Sequence, residues 1–332
     1  MTVDVIIPTY KPNANFIKLI EMLEKQTVAI RRIIIINTEE QYFANLMYGN
    51  NLELKYNNVE VHHISHTEFD HGKTRRDAVE YSQADIFICM TQDAMPKDEL
   101  LVEKLIGPIV DDVAVSSYAR QIAYPGADAV EAVTRRYNYP PKSRLKTRED
   151  LEKLGIKTYF CSNVCAAYDR KTYDKLGGFP ETAIFNEDMI YAGKVINAGY
   201  SIFYEAEASV YHSHNYTPWQ QFRRNFDNGV SQADNMDLFA NVPSEGEGKR
   251  MIKYTIRYLF KRKKLISIIK LIVQSVYKYI GFKCGRNYKK FSRSKILKWT
   301  LSPAYWNKKW LKSATAMIDP YSGYGIGEDE RK

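Results

Sequence analysis

Apolar residues along this chain fall into two rhythms, and their alternation predicts the architecture. Short apolar runs at residues 3–8, 33–36 and 86–90 read as buried strands, and residues 58–64 as a further strand between them. Between them the spacing changes to three and four. Phe16, Leu19, Ile20 and Leu23 recur that way within residues 15–25, and residues 73–82 also read as a helix. Strands alternating with helices imply βαβ units and a mainly parallel sheet, with ligand-binding groups beyond the strand C-termini.

The second half is less regular. Residues 96–109 predict a helix, 113–118 and 162–168 strands, and 171–176 a short helix closed by Gly177-Gly178. Residues 187–198 predict a helix stopped by Gly199. Residues 201–204 and 208–211 read as two strands, the second opening onto His212. The stretch 120–155, with Arg135-Arg136-Tyr137-Asn138-Tyr139-Pro140-Pro141 at its centre, is polar, aromatic and basic. It reads as an insertion or an acceptor-facing loop outside the core.

Charge divides the chain further. The net charge of +9 hides an uneven distribution: residues 249–318 hold 20 Lys or Arg and no Asp or Glu, which leaves 28 basic against 39 acidic residues elsewhere. An acidic body of residues 1–248 is thus joined to a basic appendage of residues 249–318. Dense cations alone would suit a nucleic-acid arm. Residues 265–280, however, are mostly Leu, Ile, Val and Tyr, with Ser267, Lys270, Gln274 and Lys278 recurring as a polar stripe. Lys261-Arg262-Lys263-Lys264 precede this stretch, and Lys289-Lys290, Trp299, Tyr305, Trp306 and Trp310 follow it. The pattern predicts a helix lying in a membrane interface, its cations on anionic lipid heads, rather than a nucleic-acid partner. A helical subdomain packing its apolar side on the body is the competing expectation. Residues 319–332, rich in Gly and charge, read as a mobile tail.

Composition adds two expectations. The four cysteines form no C-x-x-C pair, which predicts free thiols in a reducing compartment. The first residues reach a strand at once, without a signal-peptide pattern, and no uncharged apolar run of about 18 residues follows. The expected location is cytoplasmic, peripheral on the inner face of the cell membrane.

Three clusters carry candidate chemistry. Thr91-Gln92-Asp93-Ala94 follows a buried strand, where Asp93 could hold a hard cation that bridges phosphates or could cap a helix. Asn186-Glu187-Asp188 stands at a helix start, as a general base or as ordinary first-turn charge. A neighbouring Glu187 charge would raise the proton affinity of Asp188. His212 and His214 lie two apart on one side of an extended segment, able to ligate or to orient. Asp70-His71-Gly72-Lys73-Thr74-Arg75 leads into a helix, with Gly72 allowing close backbone approach and cations that could meet phosphate.

These strings resemble the family 2 glycosyltransferases of the GT-A fold over roughly residues 2–230. Val5-Ile6-Ile7-Pro8-Thr9-Tyr10 is similar to the family's first strand and nucleotide-binding turn, and Gly177-Gly178-Phe179 with Glu187-Asp188 to its G-G-F…E-D block. Thr91 stands where the usual D-x-D has its first Asp. Thr91-Gln92-Asp93-Ala94, Ser162-Asn163-Val164-Cys165, Phe185-Asn186-Glu187-Asp188-Met189 and His212-Ser213-His214-Asn215-Tyr216 look like the rhamnosyltransferase branch.

The resemblance implies an α/β fold of GT-A type, with a Rossmann-like mixed sheet and an inverting single displacement. Asp188 would be the base, and Asp93 with His212 would hold Mg²⁺ or Mn²⁺. The donor, dTDP-L-rhamnose, would meet Pro8, Thr9, Tyr10, Glu39, Arg75, Thr91, Gln92 and Asp93. A lipid-linked saccharide acceptor would meet Arg120, Arg135, Tyr137, Glu187 and Trp219. Arg223 and Arg224 are further candidates for neutralising the departing diphosphate. Two other expectations compete: another nucleotide sugar as donor, and a degenerate fold serving as a membrane-surface scaffold.

Overall fold

A computed structural model describes residues 1–47, 52–239, 242 and 245–318; the expected tail 319–332 lies outside the described residues. Nine strands form one sheet: β1 (Val3–Tyr10), β2 (Arg32–Thr38), β3 (Val59–Ile64), β4 (Ile86–Met90), β5 (Met95–Pro96), β6 (Ser116–Ile122), β7 (Arg144–Lys146), β8 (Cys165–Asp169) and β9 (Ile202–Tyr211). Their order is β3-β2-β1-β4-β8-β6-β9-β5, with β7 also paired to β9. β8 runs antiparallel to both β4 and β6, and β5 and β7 antiparallel to β9; the other six strands share one direction. The mainly parallel α/β sheet expected from the alternation is present. Because six strands share a direction, their C-terminal ends make one rim, and Tyr10, Glu39, Thr91, Asp93 and His212 all fall on it or just beyond it.

The principal helices are α1 (Ala14–Glu24), α2 (His71–Glu80), α3 (Leu101–Val110), α4 (Ala129–Asn138), α5 (Glu187–Asn197), α6 (Pro218–Asp234), α7 (Glu245–Lys261), α8 (Leu265–Arg286), α9 (Arg293–Trp299) and α10 (Pro303–Ile318). The runs of β-branched residues in β1 and β2 are buried on both faces, as a parallel sheet covered by helices requires. One apolar cluster joins α1 and α3 to the first face; a second joins α2 and α5 to the other.

Four details differ from the pattern. The helix expected from residue 96 begins at Leu101, because Pro96 pairs with Val210 as a short edge strand. The two strands expected at 201–204 and 208–211 are one, β9, whose register against β6 shifts between Ala119 and Arg120. That bulge accommodates the polar residues between the two apolar runs. Residues 120–155 are not an open loop. They contain α4, capped by the Asp128 side chain, and β7.

The fourth difference concerns α8. Its polar stripe turns inward: Gln274 is 6% exposed and donates Nε2 to the Tyr216 carbonyl at 3.0 Å, while Lys270 pairs with Asp128 at 3.0 Å. The apolar side faces outward, with Ile266 84% and Ile269 63% exposed. The orientation is the reverse of a helical subdomain that packs its apolar side on the body. The physical reason is the partner. The α4 and α6 surface offers carboxylates and a free carbonyl, which buried amide and ammonium groups need more than apolar groups do. Gly281 and Gly285 let α8 approach α6 so closely that a Cβ at Gly285 would stand 2.0 Å from the Phe226 carbonyl oxygen.

The basic appendage shares its cores with the body. Ile184, Phe222 and Phe226 pack with Tyr288, Ile296 and a fully buried Trp306, and Val130 and Val133 pack with Leu259 and Leu271. Buried polar bonds add to this. Asp227 accepts from Thr300 Oγ1 and Leu301 N, both at 2.7 Å, and Asp234 accepts from the Tyr288 and Tyr305 hydroxyls at 2.8 Å.

Candidate active site

β4 delivers Asp93 to the rim, and β9 delivers His212. Asp93 Oδ2 lies 3.6 Å from His212 Nε2 and 3.2 Å from His214 Nε2, and the two imidazole nitrogens are 3.0 Å apart. The three ligand atoms fall within 4.8 Å of one another. Burial lowers the His212 pKa well below its ordinary value, and the nearby Arg135 charge lowers it further. Burial also lowers His214, against the opposing pull of Asp93. Both rings are therefore neutral near pH 7 and available as ligands.

His212 Nδ1 lies 3.0 Å from Gln121 Oε1 and 3.1 Å from Arg135 Nη1, which leaves Nε2 facing Asp93. Such second-sphere bonding fixes ring orientation in metal sites. Two imidazoles and one carboxylate are a donor set that fits Mn²⁺ better than Mg²⁺, which prefers oxygen ligands. The buried Thr91 Oγ1 has no hydrogen-bond partner among the described residues, so a polar group at this rim remains to be satisfied.

Asp188 belongs to a separate polar cluster at the start of α5. Its Oδ2 accepts from Asn163 N at 2.9 Å and its Oδ1 from Met189 N at 2.8 Å. Asn163 precedes Val164, whose carbonyl accepts from Thr91 N at 3.2 Å, so Asp188 is tied to the rim two residues from Asp93 along the chain. Beside it, Glu187 Oε1 lies 3.0 Å from Arg75 Nη1 and accepts from Asn163 Nδ2 at 3.0 Å. Burial pushes Asp188 up to about 7, and the Glu187 charge adds to that rise. For Glu187 burial also opposes ionisation, but the Arg75 guanidinium outweighs it and holds the carboxyl below its usual value.

The remaining expected residues divide. Gln92 grips the Tyr10 backbone, accepting from its N–H and donating to its carbonyl, each at 2.9 Å. That pair fixes Pro8, Thr9 and Tyr10 against the Asp93 loop. Thr9 donates to Asn37 Oδ1 at 3.2 Å, and the exposed Tyr10 ring meets Tyr42 edge-on at 5.6 Å. Glu39, at φ 65°, accepts from His66 N at 2.5 Å.

Arg75, Arg135, Tyr137 and Glu187 are each engaged by other side chains of the protein. Arg75 and Glu187 are buried against each other, with Arg75 Nε unpaired among the described residues. Arg135 pairs with Glu131 and reaches Gln121 and His212 Nδ1 from behind, because α4 packs its basic side against the β9 end. The Tyr137 hydroxyl donates to Glu247 on α7 at 2.8 Å. Arg120 stands at the bulge with its Nε unpaired among the described residues. Trp219 is 41% exposed at the first turn of α6 and stacks on Phe222 at 4.8 Å.

Two participants were given no role by the sequence. Asn163 and Gln121 orient Asp188 and His212, and short polar residues beside strands carry no signal for such work. Arg224 emerges more strongly than its charge alone suggested: its guanidinium lies 4.6 Å from the Phe185 ring and 5.7 Å from the Tyr216 ring. No carboxylate pairs with it among the described residues. It thus spans from the Asp188 turn to the histidine loop.

Comparison with known proteins identifies the family and the fold. The family model described as Glycosyl transferase family 2 matches residues 4–177. The O-antigen chain rhamnosyltransferase RfbN of Salmonella typhimurium is 34% identical over 309 residues, covering 92% of this chain and 96% of that protein. WbaN of Salmonella anatum, another O-antigen chain rhamnosyltransferase, is 35% identical over 308 residues, covering 91% and 95%. Among solved structures, the mannosyltransferase PcManGT of Pyrobaculum calidifontis, in complex with GDP-Man and Mn²⁺, matches with a TM-score of 0.53 at 13% identity, over 96% of this chain and 81% of that one. At that identity the likeness concerns the fold.

Proposed function

The chain belongs to glycosyl transferase family 2 and is a glycosyltransferase, and on that premise we propose that it moves L-rhamnose from dTDP-L-rhamnose to a lipid-linked saccharide, with inversion. The observation that carries this reading is the rim itself: Asp93, His212 and His214 converge there, and Asp188 is bonded to Asn163, one residue before Val164, whose carbonyl accepts from Thr91 N. The relatives named as O-antigen chain rhamnosyltransferases support the sugar.

Asp93, His212 and His214 would hold a divalent cation, Mn²⁺ better than Mg²⁺. When bound, such an ion supplies Lewis-acid neutralisation of a diphosphate leaving group. The chain's own residues do the rest. Asp188 takes the proton from the acceptor hydroxyl. The oxygen then bonds to the anomeric carbon as the bond from that carbon to the phosphate oxygen breaks. The electron pair leaves with the diphosphate, and a β-L donor gives an α-L-rhamnoside. Arg224 lies within reach of both ends of this path and adds positive charge on the leaving-group side. Tyr10, held by Gln92, offers an exposed ring to the nucleotide base.

The same reading puts the protein on the cytoplasmic face of the cell membrane. α8 is long and apolar enough to cross a bilayer, with 22 residues and mean hydropathy 1.4. Its inner side is bonded to the body, so it lies along the surface instead. Exposed basic residues at both ends of α8 suit anionic lipid heads.

The test is a donor panel with Mn²⁺, reading release of nucleoside diphosphate and saturation-transfer contacts by NMR. Preferential turnover of dTDP-L-rhamnose is expected. Preference for a UDP-hexose or UDP-N-acetylhexosamine would replace the donor, and failure to bind any sugar nucleotide would favour the scaffold reading.

A further inference from the structure

The inverted helix α8 touches the active-site loop through its polar side. Gln274 Nε2 donates to the Tyr216 carbonyl at 3.0 Å, and the Tyr216 ring packs on His214 with centroids 5.0 Å apart. Lys270 holds Asp128 at 3.0 Å, and Asp128 N donates to Asn215 Oδ1 at 3.2 Å. Asn215 and Tyr216 directly follow His214. Two points on one face of α8 therefore support the segment that presents His212 and His214 to Asp93.

Small residues let the helix seat closely on α6. Cβ atoms at Gly229, Gly281 and Gly285 would stand 2.0–2.3 Å from carbonyl oxygens of the facing helix, so α6 and α8 meet backbone to backbone. α6 starts at Pro218, two residues after Tyr216, and its Thr217 cap closes the same loop. The opposite face exposes Leu265, Ile266, Ile269, Ile272, Val273 and Val276. Lys261, Arg262, Lys263 and Lys264 lie exposed at one end and Lys289 and Lys290 at the other. That apolar strip with cations at both ends is complementary to the acyl boundary and anionic heads of one leaflet.

We propose that α8 is a two-faced brace: its outer face seats in an anionic leaflet while its inner stripe holds the His212–Tyr216 loop, so that lipid docking tightens metal binding at Asp93, His212 and His214. The proposal rests on the metal-site reading above and adds a lipid-sensing role to it. Contact with lipid stabilises the seated position of α8. Only in that position do Gln274 and Lys270 bear on the loop. The linkage is reciprocal, so bound cation also favours docking.

The experiment uses the full chain and vesicles of phosphatidylglycerol and phosphatidylcholine. Mn²⁺ affinity is read by the free-ion electron paramagnetic resonance signal, and docking by co-sedimentation. The wild type should pellet with anionic vesicles and bind Mn²⁺ about fivefold more tightly in their presence. Gln274→Ala should still pellet, yet bind Mn²⁺ about tenfold more weakly and lose the vesicle response. The triple variant Ile266→Gln, Ile269→Gln, Val273→Gln keeps the inner face and should bind Mn²⁺ in solution like the wild type, without pelleting or tightening.

Unchanged Mn²⁺ affinity in Gln274→Ala would overturn the brace. Pelleting by the triple variant, or a soluble dimer of the wild type that ignores vesicles, would overturn the lipid surface. A wild type that pellets but never binds Mn²⁺ would overturn the metal reading and the coupling with it, leaving the docking surface standing.

Discussion

Asp188 illustrates how a residue's role depends on neighbours distant in sequence. Its pKa rises because it is buried and because Glu187, one residue away, stays ionised through Arg75 from α2. A base must be unprotonated to act, so transfer should rise with pH through the Asp188 value of about 7 and be lost below it. Removing the adjacent charge by Glu187→Gln should move that acid limb to lower pH in a pH–rate profile. A limb that stays in place would assign it to another group.

Asp188→Asn should lower turnover by about 10²–10⁴-fold. Donor binding by calorimetry should survive, because its contacts to Asn163 and Met189 hold the turn rather than the nucleotide. At the histidine cluster, Asp93→Ala should weaken Mn²⁺ binding by at least about tenfold. Equal Mn²⁺ affinity in the variant, measured by the free-ion signal, would move the cation elsewhere.

At the scale of elements, β1, β2 and β4 were readable because each is a run of residues buried on both faces, as a covered parallel strand requires, whereas β3 at the sheet edge is only partly buried. α4 was not readable. Its inner residues Val130 and Val133 are few, and its aromatic and basic residues pack on α7: Tyr137 lies 5.1 Å from Tyr254, and Arg136 lies 5.9 Å from Tyr258. Its polarity therefore resembled that of a loop.

α8 was legible as a helix and illegible in orientation, since period fixes which residues share a face but not which face turns inward. The close glycine contacts make a prediction at this scale. Gly285→Val should separate α6 from α8 and cost about 1–3 kcal/mol or more, read as a lower melting temperature. An unchanged melting curve would mean that the helices do not pack backbone to backbone.

Over the whole molecule, the charge boundary near residue 248 is real in composition yet absent from the packing. Trp306 is buried among Phe222, Phe226 and Ile184, so the last helices complete a core begun by the body. Ending the chain at residue 248 would expose that core together with Asp227 and Asp234. Such a fragment should aggregate or lose its cooperative melting transition, measured by scattering and circular dichroism. A monomeric, fully folded fragment would contradict this shared core. Membrane dependence is better probed by substitutions on the outer face of α8, which leave the shared core untouched.

Periodicity alone specified alternating strands and helices, and with them a sheet rim carrying Asp93 and His212, because burial on two faces leaves a one-dimensional record in residue order. Pairing decisions leave no such record. The chain by itself could not reveal that Arg75 belongs to Glu187, that Arg135 backs His212, or that the stripe of α8 faces the loop it supports. Those outcomes were decided when buried polar groups from remote segments found partners, a competition that exists only once the segments are brought together.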